Sequence, residues 1–327
     1  MGLDGRRRIA AVVAALAVVY VVWGSTYLGI AVAIETLPPL LMAGVRFVVA
    51  GLVLYVAARA VGTGRGVRPD RSQWSAAALT GILMLGIGNG GVSWAEQTVP
   101  SGVAAVVIAS IPLWVVVLDR VFFGSRLPWV AAAGVAVGFA GVAVLVDPRA
   151  PDRIDPAGAL ALLVAALCWA TGTLLSRGQR LTVPPLVGAG MQMLCGGAGL
   201  VVAGVVAGEL GQVHAPSWRS AVALAYLIVF GSLVAFSAYV WLLRTARTSL
   251  VATYAYVNPL VAVLLGWAVL DETVTARTLV AGGVILGAVA LIVSAPSAPA
   301  AAPARPSLPA RLRSAGRSRA AAAIRGR

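Results

Sequence analysis

No lysine occurs among the 327 residues, so all 25 basic side chains are arginine. A phosphate loop of the Walker A kind needs a lysine after its second glycine, which excludes an ATPase of that class within this chain. Histidine is almost absent as well: His214 is the one copy, and it falls between two apolar runs. The two cysteines, Cys168 and Cys195, lie inside apolar runs without metal-ligand spacing, and read as small buried hydrophobes. No zinc set and no cofactor are expected. Charge is scarce too, at 11% of residues against about 25% in soluble domains. No carboxylate sits mid-run; Glu96, Asp119, Asp271 and Glu272 all fall near run ends. That removes a paired intramembrane carboxylate for catalysis and a deep acid for proton relay.

What is present is apolar: 60% hydrophobic residues and a mean hydropathy of +0.93. This composition belongs to an all-α polytopic membrane protein. The net charge of +14 invites a nucleic-acid reading. The arginines are instead spread between apolar runs and form no single patch, so no nucleic-acid partner is expected.

Runs of about 17–25 apolar residues each span a bilayer. Ten are predicted, near 9–33, 40–60, 74–93, 101–122, 129–146, 157–176, 186–208, 221–243, 249–270 and 279–294. The third is the least regular, crowded by Gly81, Gly86, Gly88, Gly90 and Gly91. The first begins after Arg6–Arg8 like a signal peptide, but its apolar run is longer than a signal core and reads as a retained helix. An even number of spans puts both termini on one side. The cytoplasm is the side expected, because it then receives Arg6–Arg8, Arg59, Arg65, Arg68, Arg71, Arg120, Arg126, Arg177, Arg180, Arg244 and Arg247. Only Arg149, Arg153, Arg219 and Arg277 fall outside. A multi-pass protein of the plasma (inner) membrane follows. Residues 295–327, rich in Ala, Pro and Arg, read as a disordered basic cytoplasmic tail.

The chain repeats itself. PPLLMAGVRF (Pro38–Phe47) matches PPLVGAGMQM (Pro184–Met193) at an offset of 146, which also lays Trp23–Tyr27 on Trp169–Thr173. An offset of 147 superposes Trp94 on Trp241 and Pro112 on Pro259. The units are 9–146 and 157–294. Five spans per unit is odd, so the second lies upside down relative to the first. Inverted repeats belong to secondary transporters, with sites near the midplane at the repeat interface.

Within that frame the unusual residues stand out. Asn258-Pro259 and Ile111-Pro112 interrupt the ninth and fourth spans, and are expected to be two equivalent break points for gating. Arg46 lies inside the second span, about 12 Å below its end at 1.5 Å per residue. It reads either as a contact for a substrate anion or as a structural arginine; its repeat partner is the neutral Gln192. Asn89 in the third span and Trp94 where it emerges, Trp23, Thr26 and Trp169 in the first and sixth, Gln192 in the seventh, and Tyr239, Tyr254 and Asn258 in the eighth and ninth complete an expected aromatic substrate cavity. The expected partners are a small-molecule substrate and the lipid bilayer. Gly134/Gly138 and Gly283/Gly287 are small-residue pairs that suit packing within one chain or a homodimer.

WGSTYLGI, PPLLMAGVRF, GNGGVSWAEQTVPSGVAAVV, CWATGTLLSR and TYAYVNPLVAVLLG together resemble the EamA-type drug/metabolite transporters, most nearly their YedA-like branch. The resemblance runs from Trp23 to Val293 and implies ten helices in two inverted repeats, cytoplasmic termini, and outward movement of small metabolites, often amino acids, or toxic compounds. Many members carry a Glu after the fourth span, matched here by Glu272 in the second half, whereas this chain has Ser125. The expected function is export of small organic solutes by alternating access, without catalysis. A bidirectional facilitator or uptake carrier of the same fold is the alternative, followed by a non-transporting membrane receptor or enzyme.

Overall fold

The computed structural model describes residues 3–60, 64–124, 128–147, 149–150, 154–178, 183–246 and 248–294. Ser125, Arg126, Arg153, Arg180, Arg247 and the tail 295–327 lie outside the described residues. Within them the chain forms ten helical spans and no strand. These are α1 (Leu3–Ala33), α2 (Pro39–Ala60), α3 (Arg71–Ala95), α4 (Ser101–Phe123), α5 (Trp129–Leu145), α6 (Pro156–Gly178), α7 (Pro185–Val206), α8 (Trp218–Thr245), α9 (248–270) and α10 (Ala276–Ser294). Seven are long and apolar enough to cross a membrane, and α5, α9 and α10 are shorter apolar helices. Each predicted span coincides with one of the ten. Helices dominate because lipid offers no partner to a free backbone N–H or carbonyl.

The ends are closed by recognisable chemistry. Asp70 and Gln73 form a reciprocal capping box at the start of α3, and the Ser217 hydroxyl accepts from Ser220 N at the start of α8. Two other starts are capped from the far half of the chain. The Glu209 carboxylate accepts from Leu40 N and Leu41 N (3.2 and 2.8 Å), and Glu272 accepts from Ser101 N and Gly102 N (2.7 and 3.1 Å). A carboxylate at a helix N-terminus meets both free donors and the positive end of the dipole.

Glycine places α2 against α7. A Cβ on Gly44 would meet Val201 N at 2.9 Å and Gly197 O at 3.2 Å; one on Gly51 would meet Leu194 N at 2.8 Å and Gly190 O at 3.0 Å. Numbers rise along one helix as they fall along the other, so the pair is antiparallel. Gly44 and Gly51 are also the repeat equivalents of Gly190 and Gly197. Each glycine therefore packs against the other's counterpart, as a two-fold axis across the helices requires, and the repeats are inverted. The same symmetry joins α5 to α10, where Gly134 faces Ile292 and Ala288 while Gly141 faces Ile285 and Ala281. Gly283 and Gly287 look onto open space.

Two features depart from the sequence expectation. The irregular third span is continuous, but 82–89 is π-helical, and so is 227–234 in α8 at an offset of 145. The expected break at Asn258-Pro259 is displaced. In α4 the helix does interrupt at Ala109–Ser110, with Pro112 in the first turn of the segment that follows. In α9 the interruption is at Ala252–Thr253, and Pro259 lies inside the continuous segment Tyr254–Leu270. The breaks are therefore not equivalent by position. Pro259 comes just past the first turn, where one missing donor costs a single backbone bond. At 253 the Thr hydroxyl instead takes the Leu250 carbonyl (2.6 Å) and pairs with the Tyr20 hydroxyl.

Gly51→Val should drive a branched carbon into the α7 backbone and cost about 1–3 kcal/mol, while Gly283→Ala should be neutral or slightly stabilising. Thermal unfolding in detergent checks both. Equal losses at the two positions would show that close backbone approach is not what Gly51 provides.

Candidate functional site

Arg46 is two turns into α2 and 4% exposed. Its Nε donates to Ser232 Oγ at 2.9 Å, and its guanidinium carbon lies 4.8 Å from the Phe47 ring centroid. Ser232 belongs to the π-helical segment of α8. So does Gly231, whose missing side chain admits the guanidinium: a Cβ there would come within 3.1 Å of Arg46 Nη2 and 3.0 Å of the Thr26 methyl. Trp23 Nε1 donates to the Gly231 carbonyl at 3.1 Å, and Thr26 Oγ1 donates to Trp23 O at 2.6 Å. A π turn is displaced from the regular ladder and recurs at functional sites; here both partners of the cluster come from it.

Beyond Trp23 the cluster becomes an aromatic wall. Trp23 stands 5.0 Å from Tyr239, 5.3 Å from Tyr254 and 6.5 Å from Phe236, centroid to centroid, in tilted and edge-on arrangements. Tyr239 meets Tyr254 at 5.6 Å, nearly perpendicular. Such pairs align the positive edge of one ring with the negative face of another. Helices α1, α2, α8 and α9 thus converge, and bring Trp23, Thr26, Arg46, Tyr239 and Tyr254 together. Asn258 is buried on α9 behind this wall; the acceptors around it assign its amide nitrogen to the Tyr254 and Tyr20 carbonyls, each 3.2 Å away. Its neighbour Pro259 is buried as well.

The other expected residues sit elsewhere. Trp169 packs its ring against Gly88 of the first π segment, 3.0 Å from where a Cβ would be. Gln192 Nε2 donates to Thr80 Oγ1 on α3 at 2.8 Å, so the partner of Arg46 holds a helix pair together rather than a charge. Asn89 ends the first π segment, half-buried, with its Oδ1 unpartnered. Pro112 stands in α4 beside the Ala109–Ser110 interruption. Trp94 is exposed, like its counterpart Trp241, and takes part in none of the ring contacts described above.

Two residues of this region escaped the sequence reading, and a third, Glu96, is expected only as an acid near a run end, which its burial corrects. Ser232 and Phe236 have a faint signal, a Gly-Ser pair and an aromatic within an apolar run. Glu96 has none, because it follows α3 at a place that reads as surface. It is buried, and neither carboxylate oxygen has a hydrogen-bond partner. Burial first, and the nearby Glu272 second, raise it well above the usual carboxylate range, while Arg46 pulls the other way. Among the described residues no three His, Cys, Asp or Glu side chains stand close enough to hold a metal.

A bundle of ten apolar helices in two inverted repeats, with a buried arginine and an aromatic wall where the repeats meet, has the architecture of a secondary transporter. The chain belongs to the EamA-like transporter family, which matches it twice, over residues 9–147 and 156–294. It is 40% identical over 290 residues to the inner membrane transporter YedA of Escherichia coli (strain K12), covering 88% of this chain and 92% of that one. It is 28% identical over 278 residues to Protein PecM of Dickeya dadantii (83% and 88%), and 26% identical over 292 residues to a probable terminal-alkyne amino-acid exporter of Streptantibioticus cattleyicolor (87% and 94%). A solved crystal structure 22% identical in sequence shares the fold with a TM-score of 0.60, over 86% of this chain and 97% of that one. The protein is a multi-pass membrane transporter of the drug/metabolite class.

Trp23→Phe keeps a ring but deletes the indole donor to Gly231, and should cost about 0.5–1.5 kcal/mol of stability. Ser232→Ala strips the buried guanidinium of its side-chain acceptor and should cost more, about 1–3 kcal/mol. Chemical denaturation in micelles reads the difference; a Ser232→Ala protein as stable as wild type would separate Ser232 from the Arg46 cluster.

Proposed function

We propose that the protein exports small organic metabolites, amino-acid-like or amphipathic, across the plasma membrane by alternating access, with Arg46 as the anion contact and Trp23, Tyr239 and Tyr254 as the apolar wall. The observation that carries this reading is Arg46 itself. A buried guanidinium with one side-chain hydrogen bond has donors to spare, and a carboxylate is their natural partner. Flat rings beside it suit an apolar or aromatic body. Neither hydrolysis nor group transfer is assigned to it. Export is the direction of one relative by its name, the probable terminal-alkyne amino-acid exporter. The arginine distribution supports cytoplasmic termini. The non-equivalent breaks in α4 and α9 serve as points about which helix halves tilt, with Pro112 and Pro259 beside them. The open glycine face of α10 is the surface a homodimer would use.

The near-equivalence of the repeats favours a second reading, a bidirectional facilitator. Proteoliposome flux separates the two: a facilitator equilibrates its solute with no proton or sodium gradient, whereas a coupled exporter concentrates it only when one is applied. For the site, Arg46→Gln should fold, by circular dichroism and gel filtration, and lower flux at least about tenfold, the loss of one charge-assisted bond. The solute itself is found by comparing metabolites in the medium of deletion and overexpressing cells. Undiminished flux in Arg46→Gln would make Arg46 a structural residue, and an unchanged medium would count against export.

A further inference from the structure

The end of the bundle away from the start of α1 is tied across the repeats by a carboxylate. Glu272 follows α9, and its oxygens accept from Ser101 N (2.7 Å) and Gly102 N (3.1 Å) at the start of α4. The local backbone aims it there. Asp271 closes α9 in the left-handed region at φ 53°, and Glu272 N donates to the Gly266 carbonyl at 3.1 Å. Two glycines make the room: a Cβ on Gly266 would collide with Glu272 Oε2, and one on Gly102 would come within 3.0 Å of Val263 Cα. Glu209 caps α2 from α7 in the same way, but that helix pair is also held along its length by glycine contacts. The two parts joined by Glu272 are each bounded by an interruption instead. Ser101–Ile108 ends at Ala109–Ser110, and Tyr254–Leu270 begins after Ala252–Thr253.

Burial divides the two ends as well. The offset of 147 lays 103–110 of α4 on 250–257 of α9, at opposite ends of the inverted frame. All of 103–110 except Ile108 are buried, whereas Val251 alone is buried among 250–257. Val103 is 6% exposed and its counterpart Leu250 is 43% exposed. The bundle is therefore shut at the Ser101 end and looser at the Leu250 end. The acids follow the same division, since the sequence counterpart of Glu272 is Ser125. We propose that Glu272 is the latch of one end of the transporter, holding Ser101–Ile108 on α9 until that segment swings about Ala109–Ser110. This rests on the alternating-access reading, and names the contact that must break in it. Glu272 is half-buried at a helix end, so on release the carboxylate and the two freed N–H groups meet water and no buried charge is stranded. Closure of the other end has no acid at position 125 to draw on, so the protein rests shut at the Glu272 end.

The test uses the full-length protein in lipid nanodiscs, with Cys168→Ala and Cys195→Ala so that one introduced cysteine reports. Val103→Cys and Leu250→Cys are labelled separately with a bulky, charged maleimide. With the latch intact, Val103→Cys should react slowly and Leu250→Cys quickly. Glu272→Gln removes the charge and one acceptor, and should speed Val103→Cys about tenfold without speeding Leu250→Cys. Ser125→Glu alone leaves the latch in place but favours closure of the other end, and should also speed Val103→Cys, which local fraying of α4 cannot produce. The two substitutions together move the acid from one end to the other, and should slow Leu250→Cys while Val103→Cys stays fast. An unchanged Val103→Cys rate in Glu272→Gln, or equal acceleration of both cysteines, would make Glu272 a plain helix cap and overturn the proposal. Opposite changes at the two cysteines with no flux of any solute would overturn the export reading and leave the latch standing.

Discussion

The bundle depends on the close antiparallel contact of α2 with α7. Gly44, Gly51, Gly190 and Gly197 let two backbones approach until a methyl group no longer fits between them. In lipid, where apolar side chains gain little by leaving their surroundings, such close packing is a main source of helix association. The contact also lies across the local two-fold axis, so it sets how the halves are inverted. Everything nearby inherits that geometry: the α5–α10 pair, the two π segments, and the meeting of α1, α8 and α9 around Arg46.

Symmetry is then broken by chemistry. Arg46 faces Ser232, whereas its counterpart Gln192 faces Thr80. Trp23 donates to a π-segment carbonyl and joins three other aromatics, while Trp169 lies against a glycine of the other π segment. The acids are unequal too. Glu209 and Glu272 of the second repeat cap helices of the first, and the corresponding positions of the first repeat carry Thr63 and Ser125. A carrier with equal halves would bind alike on both sides; here charge and hydrogen bonding gather in one place on a pseudo-symmetric frame.

Much of this was readable beforehand. Ten spans, the duplication, and the prominence of Trp23, Thr26, Arg46, Tyr239 and Tyr254 follow from hydropathy, an internal match, and the rarity of polar groups in apolar runs. Asn258 stands out in the sequence as a polar cavity candidate, whereas its place behind the wall depends on α1 packing on α9. Trp94 is exposed and outside the ring contacts around Trp23, and interface and cavity tryptophans look alike in a sequence. Pro259 was misleading because the cost of a proline depends on its distance from the helix start, and that start was set by Thr253.

The sequence alone determined class and repeat, since spans of lipid-compatible length and an odd count per unit admit few other arrangements. Only the tertiary structure decided which polar groups are buried together. Ser232 is 186 residues from Arg46, and no periodicity links them. Glu96 reads as a surface acid and is interior because neighbouring helices cover it. Burial and pairing belong to the assembled bundle, where a group's charge state depends on what surrounds it rather than on its place in the chain.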